Sequence, residues 1–193
     1  MRSHSLTFIA CLVAVALLRP SAIVAQGVEP DLEQRPVGLP TLEPGGSCPI
    51  TTGTRGTVPT QPHIFGGALW FGAGPVYFAL AWKASTGDDA TFALEPVPRE
   101  GNAHRAKTPW VAAPSYSGPI LIRGRVLDAS GRGLRFNAPG AGPRDRLELE
   151  APRAPAAELW SFWPSAMWVP GPGCYGVQID TLVGTDVVVF EAL

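Results

Sequence analysis

Side chains that carry out catalysis or hold metals are scarce in this sequence. Only three histidines and three cysteines occur among 193 residues, and His-x-His, Cys-x-x-Cys and His-Glu-x-x-His motifs are all absent. No histidine follows Cys174, as a blue-copper site requires, and no Gly-x-Ser-x-Gly marks a serine nucleophile. We therefore predict that the chain is not an enzyme and holds neither a metal nor a cofactor. The alternative, a hydrolase or metal-binding protein, requires His63, His104 and an acid to converge in a cleft.

The acidic residues likewise do not indicate a metal-binding or catalytic site. Asp88 and Asp89 are adjacent in STGDDAT, which lacks the alternating oxygen ligands of a calcium loop and favours a solvated hairpin turn. A glycosidase needs paired carboxylates across a cleft, whereas Glu148 and Glu150 point to the same side of one predicted strand. That arrangement is typical of a solvated strand face.

Helical patterns are also absent, and short strands take their place. No stretch of a dozen residues shows 3.6-residue periodicity without an interrupting Pro or Gly. Pro and Gly instead separate short apolar runs, a pattern that predicts an all-β, immunoglobulin-like antiparallel β-sandwich of about eight or nine short strands. The predicted strands cover residues 64–71, 76–83, 90–95, 118–128, 134–138, 145–150, 158–163, 174–180 and 186–192.

Alternation assigns faces to several of these strands. In GPILIRGRVLD, Ile120, Ile122 and Val126 fall on one face. Arg123 and Arg125 fall on the other face. The residues expected to point inward from the other alternating strands are Leu147, Leu149, Tyr175, Val177 and Ile179.

One uncharged stretch of 19 residues, 64–82, raises the question of a membrane helix. Four glycines and Pro75 argue against a helix, and the central GAGP favours a turn between two strands. We therefore expect no membrane span in the chain once the N-terminal signal is removed.

The N-terminus has the pattern of a secretory signal peptide. Arg2 precedes a 13-residue apolar run, and a cleavage point follows Ala25. A retained anchor is the alternative, although the run is shorter than the roughly 20 residues of a spanning helix. The predicted organisation is a signal peptide over residues 1–25, a Pro/Gly-rich extended linker over 26–47 and one domain over 48–193. The location expected is secreted, periplasmic or envelope-associated.

Charge excludes two classes of partner. Removal of Arg2 and Arg19 with the signal leaves 13 basic and 16 acidic residues, interspersed and without a basic run. Nucleic acid and anionic lipid are therefore unfavourable partners. We expect a protein or a polysaccharide as the partner, at the cell envelope or outside the cell.

Two cysteines, Cys48 and Cys174, stay in the exported chain after Cys11 leaves with the signal. Because exported proteins meet oxidising conditions, we predict a disulfide between these two residues. A reactive or metal-bound thiol and a pair of free buried thiols are the alternatives.

Tryptophan is the residue type that points to a binding surface. Trp70, Trp82 and Trp110 are predicted to lie in the core, because these large rings fill a small interior. The cluster LWSFWPSAMW, residues 159–168, cannot turn every ring inward because Pro164 breaks its alternation. We predict one or two exposed rings that bind a glycan or a protein. The candidates are Trp160, Trp163 and Trp168.

Two stretches resemble a group of exported bacterial proteins. GPILIRGRVLD is similar to the group's G-x-L-x-I-x-G-x-x-L-D strand, and SAMWVPGPGCYGV is similar to its S-x-L-x-F-P-x-P-G-C-W-x-V hairpin, with Tyr175 in place of Trp. Residues 139–157 have no counterpart in that group. The resemblance implies an immunoglobulin-like sandwich and no catalytic residues. The matching residues are Gly118, Leu121 or Ile122, Gly124, Leu127, Asp128, Ser165, Met167, Pro170, Pro172, Gly173, Cys174 and Val177.

These patterns together predict an exported, non-catalytic module with a protein-interaction or envelope-associated structural role. The alternative from another class is a carbohydrate-binding module that uses the exposed tryptophans of residues 159–168.

Overall fold

A computed structural model describes residues 31–55, 58, 68–80, 89–128, 130–138, 140–152 and 159–193. The described chain is all-β, with thirteen strands and one 3-10 turn, Leu32–Gln34. The predicted signal peptide, its cleavage point, His63, Trp82 and Asp88 lie outside the described residues. Within the described ranges, no helix has the length and hydropathy needed to cross a membrane.

Three strands of nine residues, β7, β12 and β13, are the longest, and the others span two to six residues. The strands are β1 (Trp70–Phe71), β2 (Val76–Ala79), β3 (Thr91–Phe92), β4 (Arg99–Glu100), β5 (Ala103–Lys107), β6 (Trp110–Ala112), β7 (Gly118–Val126), β8 (Arg135–Asn137), β9 (Arg146–Ala151), β10 (Ser161–Trp163), β11 (Ala166–Val169), β12 (Gly173–Thr181) and β13 (Gly184–Ala192).

The strands form three sheets. Strands β1-β2-β6-β10 make an antiparallel sheet that we call the aromatic sheet, and β4-β5-β11-β8 make the second four-stranded sheet. A five-stranded sheet has the order β3-β13-β12-β7-β9, in which only the β3–β13 pair is parallel. The all-β prediction is therefore confirmed.

All three sheets contribute to one apolar core. Phe78 and Trp110 of the aromatic sheet stack with ring centroids 4.7 Å apart. Tyr175 and Phe190 of the five-stranded sheet stack at 5.1 Å, and Met167 of the second four-stranded sheet packs in the same cluster. The face assignments made from alternation are confirmed, because the residues expected to point inward all belong to this core. They are Ile120, Ile122, Val126, Leu147, Leu149, Tyr175, Val177 and Ile179.

The strand count of eight or nine is wrong, because the described residues already contain thirteen. No strand was predicted between residues 96 and 117, where the structure has β4, β5 and β6, and β11 was not predicted either. Strands β6 and β11 are buried on both faces, so their sequences do not alternate. Strands β4 and β5 carry charged residues at partly or fully exposed positions.

Residues 31–47, which we call the strap, lie against the five-stranded sheet. Leu32 and Leu39 are buried, and the amide of Leu42 donates to the carbonyl oxygen of Leu127 at 2.8 Å. Residues of the predicted linker therefore pack on the sheet upstream of Cys48. Pro and Gly do exclude a strand in the strap, but its leucines still find apolar positions on the sheet.

Candidate functional site

Cys48 and Cys174 form the predicted disulfide, with Cα atoms 5.6 Å apart across a sequence separation of 126 residues. The half-buried bridge packs beside Leu39, Leu127 and Val189 on the face of the five-stranded sheet that is turned away from the core. A sulfur in a disulfide is not a free thiolate, so neither cysteine is a nucleophile or a metal ligand in this state.

The aromatic sheet carries apolar side chains on both faces. Along β2, Phe78 points into the core, so its neighbour Tyr77 points to the outer face. Tyr77 pairs with Val111 of β6, and Val111 pairs with Phe162 of β10. These three residues form a row across the outer face, from the second strand to the edge of the sheet.

Trp160 joins this outer face one position before β10 begins. Its ring centroid lies 6.0 Å from that of Tyr77 with 47° between the ring planes. Both rings are half-buried, and they pack against a small apolar cluster that includes Trp70 and Val111. Trp70 is buried as predicted, but on this outer side of the sheet rather than in the shared core.

The other two candidate tryptophans do not join the outer face. Trp163 is half-buried against the shared core, and its strand partner is Trp110. The chain then passes Pro164 and enters β11 in a different sheet, which is where the predicted break in alternation falls. Trp110 is buried as predicted, and its indole N–H donates to Oγ of Ser165 at 2.9 Å.

Trp168 lies in β11 and is buried. Its indole Nε1 donates to a carboxylate oxygen of Glu100 at 3.3 Å, and the guanidinium carbon of Arg105 lies 5.5 Å from the ring centroid. These contacts satisfy the N–H group and cover the ring, so Trp168 has a structural role on the second four-stranded sheet.

The candidate functional site is therefore a surface of three side chains, which we call the aromatic surface: Tyr77, Trp160 and Phe162. Phe162 is 43% exposed, which makes it one of the exposed large apolar side chains of the described chain. Sequence reasoning found Trp160 but missed Tyr77 and Phe162, because it considered only tryptophan. The alternation of β2 around Phe78 was the signal that could have placed Tyr77 outside.

Polar candidates do not come together in the described part of the chain. Nδ1 of His104 lies 3.2 Å from the carbonyl oxygen of Val97, an acceptor that requires a proton on this nitrogen. Glu148 accepts from Nε of Arg146 at 2.6 Å, and Glu150 is exposed, as predicted for a solvated face. Across the described ranges, no three His, Cys, Asp or Glu side chains are grouped so that they could hold a metal ion.

Two groups near the C-terminal hairpin have shifted pKa values. Burial raises the pKa of Tyr175, whose hydroxyl donates to the carbonyl oxygen of Gly171 at 2.6 Å. The pKa of Asp128 is lowered, first by the hydrogen bond from the Ser130 hydroxyl and then by the Ser130 amide. Both shifts follow from local packing and turn geometry.

No protein-family model, no curated protein and no solved structure matches the chain.

Proposed function

We propose that the chain is an exported, non-catalytic interaction module that binds a partner protein through the aromatic surface. The single observation that carries this proposal is the exposure of Phe162 on the same sheet face as the half-buried rings of Tyr77 and Trp160. Scattered exposed apolar residues are ordinary, but adjacent ones on one sheet face mark a surface that gains from burial. Aromatic side chains are also enriched at the centres of protein interfaces.

A carbohydrate-binding module is the second candidate, and the Tyr77–Trp160 pair favours it. The two rings are 6.0 Å apart and inclined by 47°, so they present two ring faces at an angle rather than one flat plane. Aromatic faces stack on the apolar faces of sugars, while the phenol hydroxyl and the indole N–H can bond to hydroxyl groups. If the chain binds carbohydrate, Trp160 contributes more to binding than Phe162 does.

Export and the finer fold class belong to the same proposal. The apolar run at residues 6–18 and the cleavage point after Ala25 support secretion or an envelope location. A disulfide at Cys48–Cys174 is the kind of bond that persists in an oxidising compartment. Antiparallel sheets packed around one core, with the motifs of the exported bacterial group, support an immunoglobulin-like arrangement.

The experiment compares three single variants of the exported chain as bait. Phe162→Ser and Trp160→Ala each change the aromatic surface, and Val37→Ser is the matched control, because Val37 is similarly exposed at 47% but lies on the strap. We expect a protein captured from the envelope fraction to bind Phe162→Ser at least about 30-fold more weakly, the size of an interface hot spot. Capture by Val37→Ser should equal that of the unchanged chain.

The same proteins are run through gels that contain neutral polysaccharides. If retardation is lost in Trp160→Ala and kept in Phe162→Ser, the second candidate replaces the first. Equal protein capture by all three variants, with no retardation in any gel, would show that the aromatic surface is not the binding site.

A further inference from the structure

Strand β9 is an open edge of the five-stranded sheet. It pairs with β7 on one side, and no strand in the described ranges pairs with it on the other. Within β7, the carbonyl oxygen of Gly124 accepts from the amide of Leu134 on the side away from β12. Because alternate residues of a strand direct their main-chain groups to the same side, the residues of β7 that bond to β9 are Ile122, Ile120 and Gly118.

The main-chain groups along the outer side of β9 are left without partners. Opposite the three bonded residues of β7, the strand has Leu147, Leu149 and Ala151. The residues between them therefore each direct an N–H donor and a C=O acceptor away from the sheet. These residues are Arg146, Glu148 and Glu150, and no other main-chain group of the described chain bonds to them. An extended segment laid along β9 would supply the missing partners.

The 3-10 turn of the strap forms a groove with this edge, which we call the edge groove. Its volume is about 540 Å³, and it lies between the turn and the face of β9 that is turned away from the core. Leu32 and Leu121 are buried at its base. No basic side chain is among the described residues that line it. Its four acidic lining residues are Asp31, Glu33, Glu148 and Glu150.

The edge groove stays acidic after its ion pairs are counted. Nη2 of Arg146 donates to Glu33 at 2.8 Å, and Nε of the same guanidinium donates to Glu148 at 2.6 Å. This one guanidinium faces four carboxylates. Glu150 is exposed and forms no ion pair within the described ranges, so its charge is available to a ligand. A segment that enters the groove is therefore favoured by positive charge.

We propose that an extended basic segment of a partner protein adds to β9 as a further antiparallel strand. Its main chain bonds to the outward groups of Arg146, Glu148 and Glu150, which supply the affinity of strand addition. Every second side chain of the added strand shares a sheet face with Glu148 and Glu150, so these positions take lysine or arginine. The edge groove lies on a different sheet from the aromatic surface, and the inference is independent of the proposed function.

The test measures binding of a fluorescent peptide, Thr-Lys-Val-Lys-Val-Lys-Thr, to the exported chain by anisotropy at low salt. Glu150→Lys reverses one charge at the edge. Glu95→Lys is the matched control, because Glu95 is also exposed but lies outside the edge groove. We expect Glu150→Lys to bind about five- to tenfold more weakly, because a cross-strand charge pair changes from attraction to repulsion. Glu95→Lys should bind like the unchanged chain.

Main-chain pairing is tested on the unchanged chain with a modified peptide. Methyl groups on the lysine amide nitrogens keep the charges but remove the donors that face β9, so we expect binding to be lost. Adding the unmethylated peptide should slow hydrogen exchange at the amides of Glu148 and Glu150, which face the edge. Equal binding of the two peptides, or equal weakening by the two protein variants, would show attraction by charge alone and overturn the proposal. No binding of the unmethylated peptide, whether or not the chain pairs with a second copy, would also overturn it.

Discussion

At the scale of the residue, Tyr175 couples the stability of the fold to alkaline pH. Its ring is buried against Phe190, and burial raises the pKa of its hydroxyl. In the unfolded chain a tyrosine loses its proton near pH 10. Between that pH and the higher folded pKa, the unfolded state binds fewer protons than the folded state, so stability falls as pH rises. Below the unfolded pKa the contribution is fully present.

The variant Tyr175→Phe should remove this part of the alkaline dependence. At neutral pH it should lower the free energy of unfolding by about 1 kcal/mol, because the Gly171 carbonyl oxygen loses its donor. Urea unfolding of both proteins between pH 7 and 11 measures the difference. Above pH 10, the free energy of unfolding should fall more steeply with pH in the unchanged chain than in Tyr175→Phe. Parallel curves over the whole range would contradict the expected coupling.

At the scale of the element, β7 and β12 approach each other closely at Gly124. A Cβ at this position would lie 2.9 Å from the carbonyl oxygen of Gly176 and 2.8 Å from a methyl carbon of Leu134. The carbonyl belongs to the main chain of the central strand pair and cannot move aside cheaply. We expect Gly124→Ala to lower the free energy of unfolding by about 1–3 kcal/mol, the usual effect of overpacking.

Gly171→Ala is the control for this prediction, since a Cβ on Gly171 meets nothing within 4 Å. Chemical denaturation of both variants gives the comparison. Midpoints that agree for the two variants would show that the strand pair has more room than the distances indicate.

At the scale of the whole molecule, the disulfide closes almost the entire folded chain. Its sequence separation of 126 residues spans every strand from β1 to β11. The chain-entropy account assigns about 4–5 kcal/mol to a loop of this size. Cys48→Ser with Cys174→Ser should therefore lower the melting temperature strongly. Peptide mapping without reductant should show the two cysteine peptides linked in the unchanged protein. An unchanged melting temperature in the double variant would mean that the bridge contributes nothing.

The strands with clear alternation were predicted, whereas β6 and β11, which lack it, were not. Ile120, Ile122 and Val126 alternate with arginines, and all three lie in the core as expected. Strands β6 and β11 lack that alternation, since a neighbouring sheet or cluster covers each of their faces. Local sequence carries the period of a strand but not the number of layers packed around it.

The candidate site, like the strands, was only partly predictable from the sequence. The sequence predicted that tryptophans of residues 159–168 form the binding surface. Only Trp160 contributes to the aromatic surface, while Trp168 is covered by Arg105. Tyr77 and Phe162 are 85 residues apart in sequence and lie in one row on the same sheet face only because β6 pairs with both of their strands. Register across a sheet depends on pairing at long range, which no single segment encodes.

The sequence by itself determined the all-β class, the inward residues of the alternating strands and the pairing of Cys48 with Cys174, because each depends on local period or on only two of the three cysteines lying outside the N-terminal apolar run. Tertiary structure alone decided the division into three sheets, the docking of the strap and the aromatic surface. Those features depend on which distant segments pack against the same apolar surface, and that packing exists only in the folded chain.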